Sequence, residues 1–171
     1  MTKKIEIERK YLLSALPEGI VSKQGCPIRQ GYVVARVGIF EIRLRQKGGD
    51  EFSVCSKTGG LPSRDEKEAM ISQEAFSILW PATGGRSIEK VRHTLVGPGG
   101  FSWEVDEFSK NLKGLVIAEV ELPDEHTEAI IPESIQEVLV REVTRDVLYT
   151  DAWLAMMQAH KREQRRGRRK P

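Results

Sequence analysis

Several of the usual carriers of chemistry are scarce in this sequence. Cysteine occurs twice, as Cys26 and Cys55, with no spacing that suits a metal site or a disulfide framework. That scarcity leads us to expect a reducing, cytoplasmic setting. The three histidines, His93, His126 and His160, stand far apart, and a surface or structural role is expected of each. No Ser/His/Asp or Cys/His constellation can be assembled. No G-x-x-x-x-G-K-[ST] segment occurs, which excludes a Walker-type nucleotide loop. No apolar run approaches the roughly 18 residues of a membrane span, and no apolar leader follows Met1. A soluble protein without a membrane role is therefore expected.

What is abundant is charge. Charged residues make up 30% of the 171-residue chain against 39% hydrophobic, a length that fits one domain able to bury a core. The formal net charge of +2 hides an asymmetry. Lys161–Pro171 carries seven Lys/Arg against one Glu, so the body before it is mildly acidic. We expect one domain over residues 1–160, then a basic tail over 161–171 that has no apolar anchor and is expected to be disordered. Solvation is the expected role of the tail, ahead of nucleic-acid binding.

Alternation of period two marks Lys4–Leu13, Arg29–Val37, Phe40–Gln46, Glu51–Lys57, Arg64–Ile71, Ser87–Val96, Phe101–Phe108 and Leu115–Leu122 as strands. Short Gly/Pro/Asp turns separate many of them, so the pairing is expected to be antiparallel. Eight strands can close into a barrel. Helices are few: one capped by Ser72 and ending near Pro81, one from Pro132 to about Val140, and one over about Asp146–Lys161.

The polar faces of these strands are sorted by sign. Glu6 and Glu8 alternate with Ile5 and Ile7, and Lys10 continues the series. Glu104 and Asp106 flank Val105, and Glu119 and Glu121 flank Val120. Arg43 and Arg45 share a face with Glu41, Lys57 follows on the next strand, and Lys90 and Arg92 flank Val91. Any one pair fits a solvated face of an antiparallel sheet. Together they fit it poorly, because a face selected for solubility intersperses the signs. Turned inward, such faces would line a lumen whose charges need partners. A phosphate chain suits the Lys/Arg walls, and a hard cation such as Mg²⁺ or Mn²⁺ suits the carboxylates.

At this point the chain resembles a known family. Glu6-Ile7-Glu8-Arg9-Lys10 matches the E-x-E-x-K signature of the CYTH superfamily, the triphosphate tunnel metalloenzymes. Arg43-Leu44-Arg45, Lys57, Lys90-Val91-Arg92, Trp103-Glu104-Val105-Asp106 and Ala118-Glu119-Val120-Glu121-Leu122 follow in order. Arg141-Glu142-Val143-Thr144 resembles a segment of the small bacterial members. The resemblance implies a mainly β (α+β) fold: a closed eight-stranded antiparallel barrel open as a tunnel, with a few helices outside and a C-terminal helix near one end. It implies that Glu6, Glu8, Glu104, Asp106, Glu119 and Glu121 hold Mg²⁺ or Mn²⁺. Lys10, Arg43, Arg45, Lys57, Lys90, Arg92 and Arg141 would then bind the triphosphate.

For Lys10 two roles stay open: a base whose pKa falls among neighbouring cations, or a phosphate anchor. The activity implied is hydrolysis of inorganic triphosphate, a small-molecule substrate, with monomer and homodimer both open. Thiamine triphosphatase or class IV adenylate cyclase activity, and a non-catalytic polyphosphate-binding module, are the alternatives. Arg9 and the isoleucines are expected to face away from the lumen.

Overall fold

The structure, a computed structural model, describes residues 2–20 and 24–167. Among the described residues, nine strands and three α-helices follow one another. The strands are β1 (Thr2–Leu13), β2 (Cys26–Arg36), β3 (Phe40–Lys47), β4 (Glu51–Thr58), β5 (Ser63–Met70), β6 (Ser87–Val96), β7 (Ser102–Phe108), β8 (Val116–Glu121) and β9 (Leu139–Glu142). The helices are α1 (Gln73–Leu79), α2 (Glu133–Gln136) and α3 (Asp151–Gly167). All strand pairings are antiparallel, in the order β5-β4-β3-β2-β6-β7-β8-β1. The additional β1–β5 pairing closes this sheet into an eight-stranded barrel.

Closure depends on the length of β1. Residues Thr2–Ile7 pair with β5 and residues Glu8–Leu13 pair with β8, so one strand seals the seam from both sides. Beyond Ile7 the β5 side of β1 would be left as an open edge, with its backbone donors and acceptors unmatched. β9 fills it, Tyr11 facing Glu142 and Leu12 facing Arg141. This corrects the expected helix from Pro132 to Val140. One helical turn forms, after Pro132, and the chain then becomes extended where Val138 and Val140 favour a strand.

Alternation gives the barrel an apolar outside and a polar inside. On one flank Tyr11, Trp103, Val105, Ala118 and Val120 point outward and pack beneath Ile135 of α2. On another, Leu44 and Phe52 pack beneath Phe76 of α1. Ser72 caps α1 through its hydroxyl, which accepts from the Ala75 amide at 3.1 Å. The turn after α1, Trp80–Thr83, lies directly on β2. A Cβ at Gly31 would meet Thr83 Cγ2 at 2.7 Å, so only glycine admits that approach.

The third cluster lies at one end of the barrel. Inward-pointing Tyr32, Ile88, Phe108 and Ile117 meet Ala152 and Ala155 of α3, so this helix covers that end. The expected helix from Asp146 is divided in two. Asp146 caps a short 3₁₀ turn, Val147–Tyr149, and the Thr150 hydroxyl then accepts from the Trp153 amide at 3.3 Å as α3 begins. α3 runs to Gly167, so the basic stretch from Lys161 begins within it. Residues 168–171 lie outside the described residues. Among the described residues no helix is long and apolar enough to cross a membrane.

Ala155 has no exposed surface where α3 meets the barrel interior, and a larger side chain there has nowhere to go. Ala155→Leu is expected to destabilise the fold by about 1–3 kcal/mol. Urea unfolding, followed by circular dichroism, measures this.

Candidate active site

The barrel encloses a cavity of about 280 Å³. Its walls carry eight carboxylates, Glu6, Glu8, Glu41, Glu66, Glu104, Glu119, Glu121 and Asp151. Facing them are six cationic side chains, Lys10, Arg43, Arg45, Lys57, Arg64 and Arg92. The lining therefore holds a formal excess of two negative charges. The strands place these residues as the alternation demands, since every second residue of β1, β3 and β8 points inward.

Many of these charges are joined, through Lys90 and Asp106, into one alternating chain. Asp151, at the start of α3, accepts from Lys90 Nζ at 2.7 Å. Lys90 donates to Asp106 at 2.5 Å. The Arg92 guanidinium grips both oxygens of Asp106, at 2.7 and 2.6 Å, and reaches Glu119 at 2.9 Å and Glu104. Glu119 accepts from Lys10, which also lies 3.0 Å from Glu8. Arg64 donates to Glu8 at 2.9 Å and to Glu6 at 3.2 Å. Lys57 completes the series, 2.5 Å from Glu6 and 2.8 Å from Glu66.

Burial and pairing act in opposition on these groups. Burial alone would lower the Lys10 ammonium, but the carboxylates of Glu119, Glu8 and Asp151 outweigh it and hold it above the usual lysine range. This favours the phosphate anchor among the two expected roles. The nearest charges to Lys10 are acidic, so this arrangement does not lower its pKa toward that of a base. Burial would raise Glu119, yet Lys10, Lys90 and Arg92 hold it well below the usual carboxylate range. Glu41 goes the other way: burial raises it, and Arg64, Lys57 and Arg43 only partly offset this. Arg45 is depressed by burial and by the nearby Arg43 and Arg92.

The structure brings together Glu6, Glu8, Lys10, Arg43, Arg45, Lys57, Arg92, Glu104, Glu119 and Glu121 in the cavity lining. Three expected residues stand elsewhere. Lys90 and Asp106 have no exposed side-chain surface and sit behind the wall, locked to each other. Asp106 there fixes Arg92. Arg141 is exposed on β9, 3.0 Å from Asp146 and stacked over the Tyr149 ring at 5.1 Å, where it fastens the turn leading into α3. Arg9 has the outward parity expected of it and lines a separate outer cavity with Glu142 and Arg145.

Sequence reasoning left Arg64 and Glu66 undecided between a substrate-related and an outer strand, and missed Asp151 as a lining residue. Arg64 lies in a strand whose pattern, Arg64-Asp65-Glu66-Lys67-Glu68, carries charge on both faces, so alternation could not tell inside from outside. Asp151 gave no strand signal, because it enters the lumen from the tip of a helix.

Oxygen donors and an acidic excess suit a hard divalent cation. Yet among the described residues no group of three or more such side chains forms a ready-made metal site, since Lys and Arg occupy the carboxylates. The residues fit a cation in chemistry, and to bind it they must exchange partners.

No family model matches the chain. It is 40% identical over 152 residues to an inorganic triphosphatase of Nitrosomonas europaea, an alignment covering 88% of this chain and 97% of that protein. It is 36% identical over 152 residues to an inorganic triphosphatase of Acetivibrio thermocellus, covering 86% and 90%. Among solved structures, the inorganic triphosphatase NE1496 superposes with a TM-score of 0.62 at 37% identity, covering 88% of this chain and 94% of that one. A putative adenylate cyclase from Bacillus halodurans shares the fold at a TM-score of 0.57 and 16% identity, covering 80% and 98%.

The Asp151 carboxylate is held at about 2 against 3.8 for a free side chain, because Lys90 and Lys10 outweigh burial and the nearby Glu119. A depressed carboxylate adds stability above its unfolded pKa and loses it as the pH falls through its folded one. Wild-type stability is therefore expected to fall between about pH 4 and pH 2, and Asp151→Asn to flatten that limb. Urea midpoints across this range measure the difference.

Proposed function

The chain belongs to the family of the inorganic triphosphatases, and from that membership we propose that its barrel hydrolyses inorganic triphosphate with the help of Mg²⁺ or Mn²⁺. The observation that carries this reading is the charge count of the lumen. An anion bearing about five charges would meet six cationic side chains but also eight carboxylates, and it enters favourably only if cations neutralise the acids.

Glu6, Glu8, Glu119 and Glu121, with Glu104 at the rim, would hold the cation. When bound, it neutralises phosphate charge and helps to align the attacking water. Arg43, Arg45, Lys57 and Arg92 hold the phosphate chain. Lys90 acts through Asp106, whose carboxylate fixes the Arg92 guanidinium by two hydrogen bonds. Lys10, kept protonated, anchors phosphate. A strong base is not needed, because phosphoryl transfer passes through a loose transition state governed by positioning and charge. Water adds to a terminal phosphorus, the bridging P–O bond breaks, and pyrophosphate and orthophosphate leave.

Substrate choice follows from the lining. Of the aromatic residues Tyr32, Phe40 and Trp103, only Tyr32 borders the cavity, and Trp103 is fully buried in the outer layer. A base or thiazole ring has little to stack on, which favours the inorganic chain over ATP or thiamine triphosphate. The two free thiols support a reducing, cytoplasmic setting.

Phosphate release is expected from tripolyphosphate with Mg²⁺ or Mn²⁺, to vanish in EDTA, and to be much slower from ATP and thiamine triphosphate. Arg43→Ala is expected to weaken apparent tripolyphosphate affinity by about tenfold or more. A chain that bound tripolyphosphate without hydrolysing it under any of these conditions would contradict the proposal.

A further inference from the structure

Arg64 holds a position that the proposed reaction does not yet use. It stands on β5 directly across from Glu6 of β1 and is 8% exposed. Its Nη2 donates to Glu8 Oε1 at 2.9 Å and to Glu6 Oε2 at 3.2 Å. Its Nη1 lies 3.6 Å from Glu41 Oε2. Its Nε is buried and has no hydrogen-bond partner among the described residues. One guanidinium thus spans both carboxylates of the E-x-E pair while keeping an unused donor in a cavity wall.

A divalent cation on Glu6 and Glu8 would meet this guanidinium at the same oxygens. Two like charges that close repel each other, so both cannot hold those oxygens at once. Arg64 has somewhere to go: Glu41 still faces it, and its unmet Nε calls for an acceptor. A phosphate oxygen fits that donor, because a guanidinium binds phosphate through paired N–H groups. Other cations of the wall lack this combination. Lys57 contacts only Glu6 of the pair and Lys10 only Glu8. Arg43 also has an unmet Nε, but its ion pair is with Glu68, 3.5 Å away.

We propose that Arg64 is a two-position residue, seated on Glu6 and Glu8 in the ligand-free lumen and displaced by the divalent cation onto the phosphate chain. It competes with metal before substrate arrives and binds substrate afterwards. The proposal rests on the triphosphatase reading given above.

The two roles have opposite signs. Mn²⁺ binding, without polyphosphate, is measured by electron paramagnetic resonance on wild type, Arg64→Gln and Arg45→Gln. Binding of tripolyphosphate, as its non-hydrolysable imido analogue in saturating Mn²⁺, is measured by calorimetry on the same three. Arg64→Gln is expected to bind Mn²⁺ about tenfold more tightly and tripolyphosphate about tenfold more weakly. Arg45→Gln, whose native partner is Gln30, is expected to weaken tripolyphosphate without tightening Mn²⁺. Should Arg64→Gln fail to fold, Arg64→Met decides, because it keeps the apolar stem, removes the guanidinium, and should still tighten Mn²⁺ severalfold. Unchanged or weaker Mn²⁺ binding in the folded variant overturns the proposal, as does unchanged tripolyphosphate binding. Wild-type turnover of tripolyphosphate with Mn²⁺, run in the same series, separates this result from failure of the triphosphatase reading itself.

Discussion

A charge removed from water must find an opposite charge or it unfolds the structure around it. The interior of this barrel is organised by that constraint. Carboxylates and cations alternate from Asp151 through Lys90, Asp106, Arg92, Glu119, Lys10, Glu8, Arg64 and Glu6 to Lys57. Every member has an opposite charge beside it, so the lumen can exist without ligand, with the Arg64 Nε–H left over. Under the proposed reaction the same pairing would make it an exchanger: a cation would take the acids, a polyanion would take the bases, and each would make room for the other.

The scaffold keeps most hydrophobic packing outside the charged ring. Trp103 and Tyr11 pack at 5.5 Å between ring centroids in the outer layer, and α1 and α2 cover that layer on two flanks. At the α3 end the apolar core enters the barrel, where Ala152 and Ala155 meet Tyr32, Ile88, Phe108 and Ile117. Asp151 then projects from the same helix into the polar region and ties the cover to Lys90. Lys90 and Asp106 belong to the wall rather than to the surface that a ligand would meet, and they hold Arg92 in place.

Much of this was legible in the residues. Alternation located the eight barrel strands within a few residues, because a strand with one apolar and one charged face has a strong period-two signal. The inward set on β1, β3 and β8 followed from the same parity. The ninth strand was hidden, since its formation depends on an edge of β1 left bare by the barrel's stagger rather than on its own four residues. Arg64 was hidden by charges on both faces of its strand. Depth was hidden as well: parity gives the side of a strand, and only the closed barrel tells that Lys90 and Asp106 lie beneath the surface while Arg92 lines it.

The measurement that bears most directly on partner exchange is a crystal structure with Mn²⁺ and a non-hydrolysable imido analogue of triphosphate. The account predicts the analogue inside the barrel, with Arg43, Arg45 and Arg92 on its phosphate oxygens and Glu6 and Glu119 turned to the metal. An analogue bound outside the barrel, with the internal ion pairs unchanged, would contradict it.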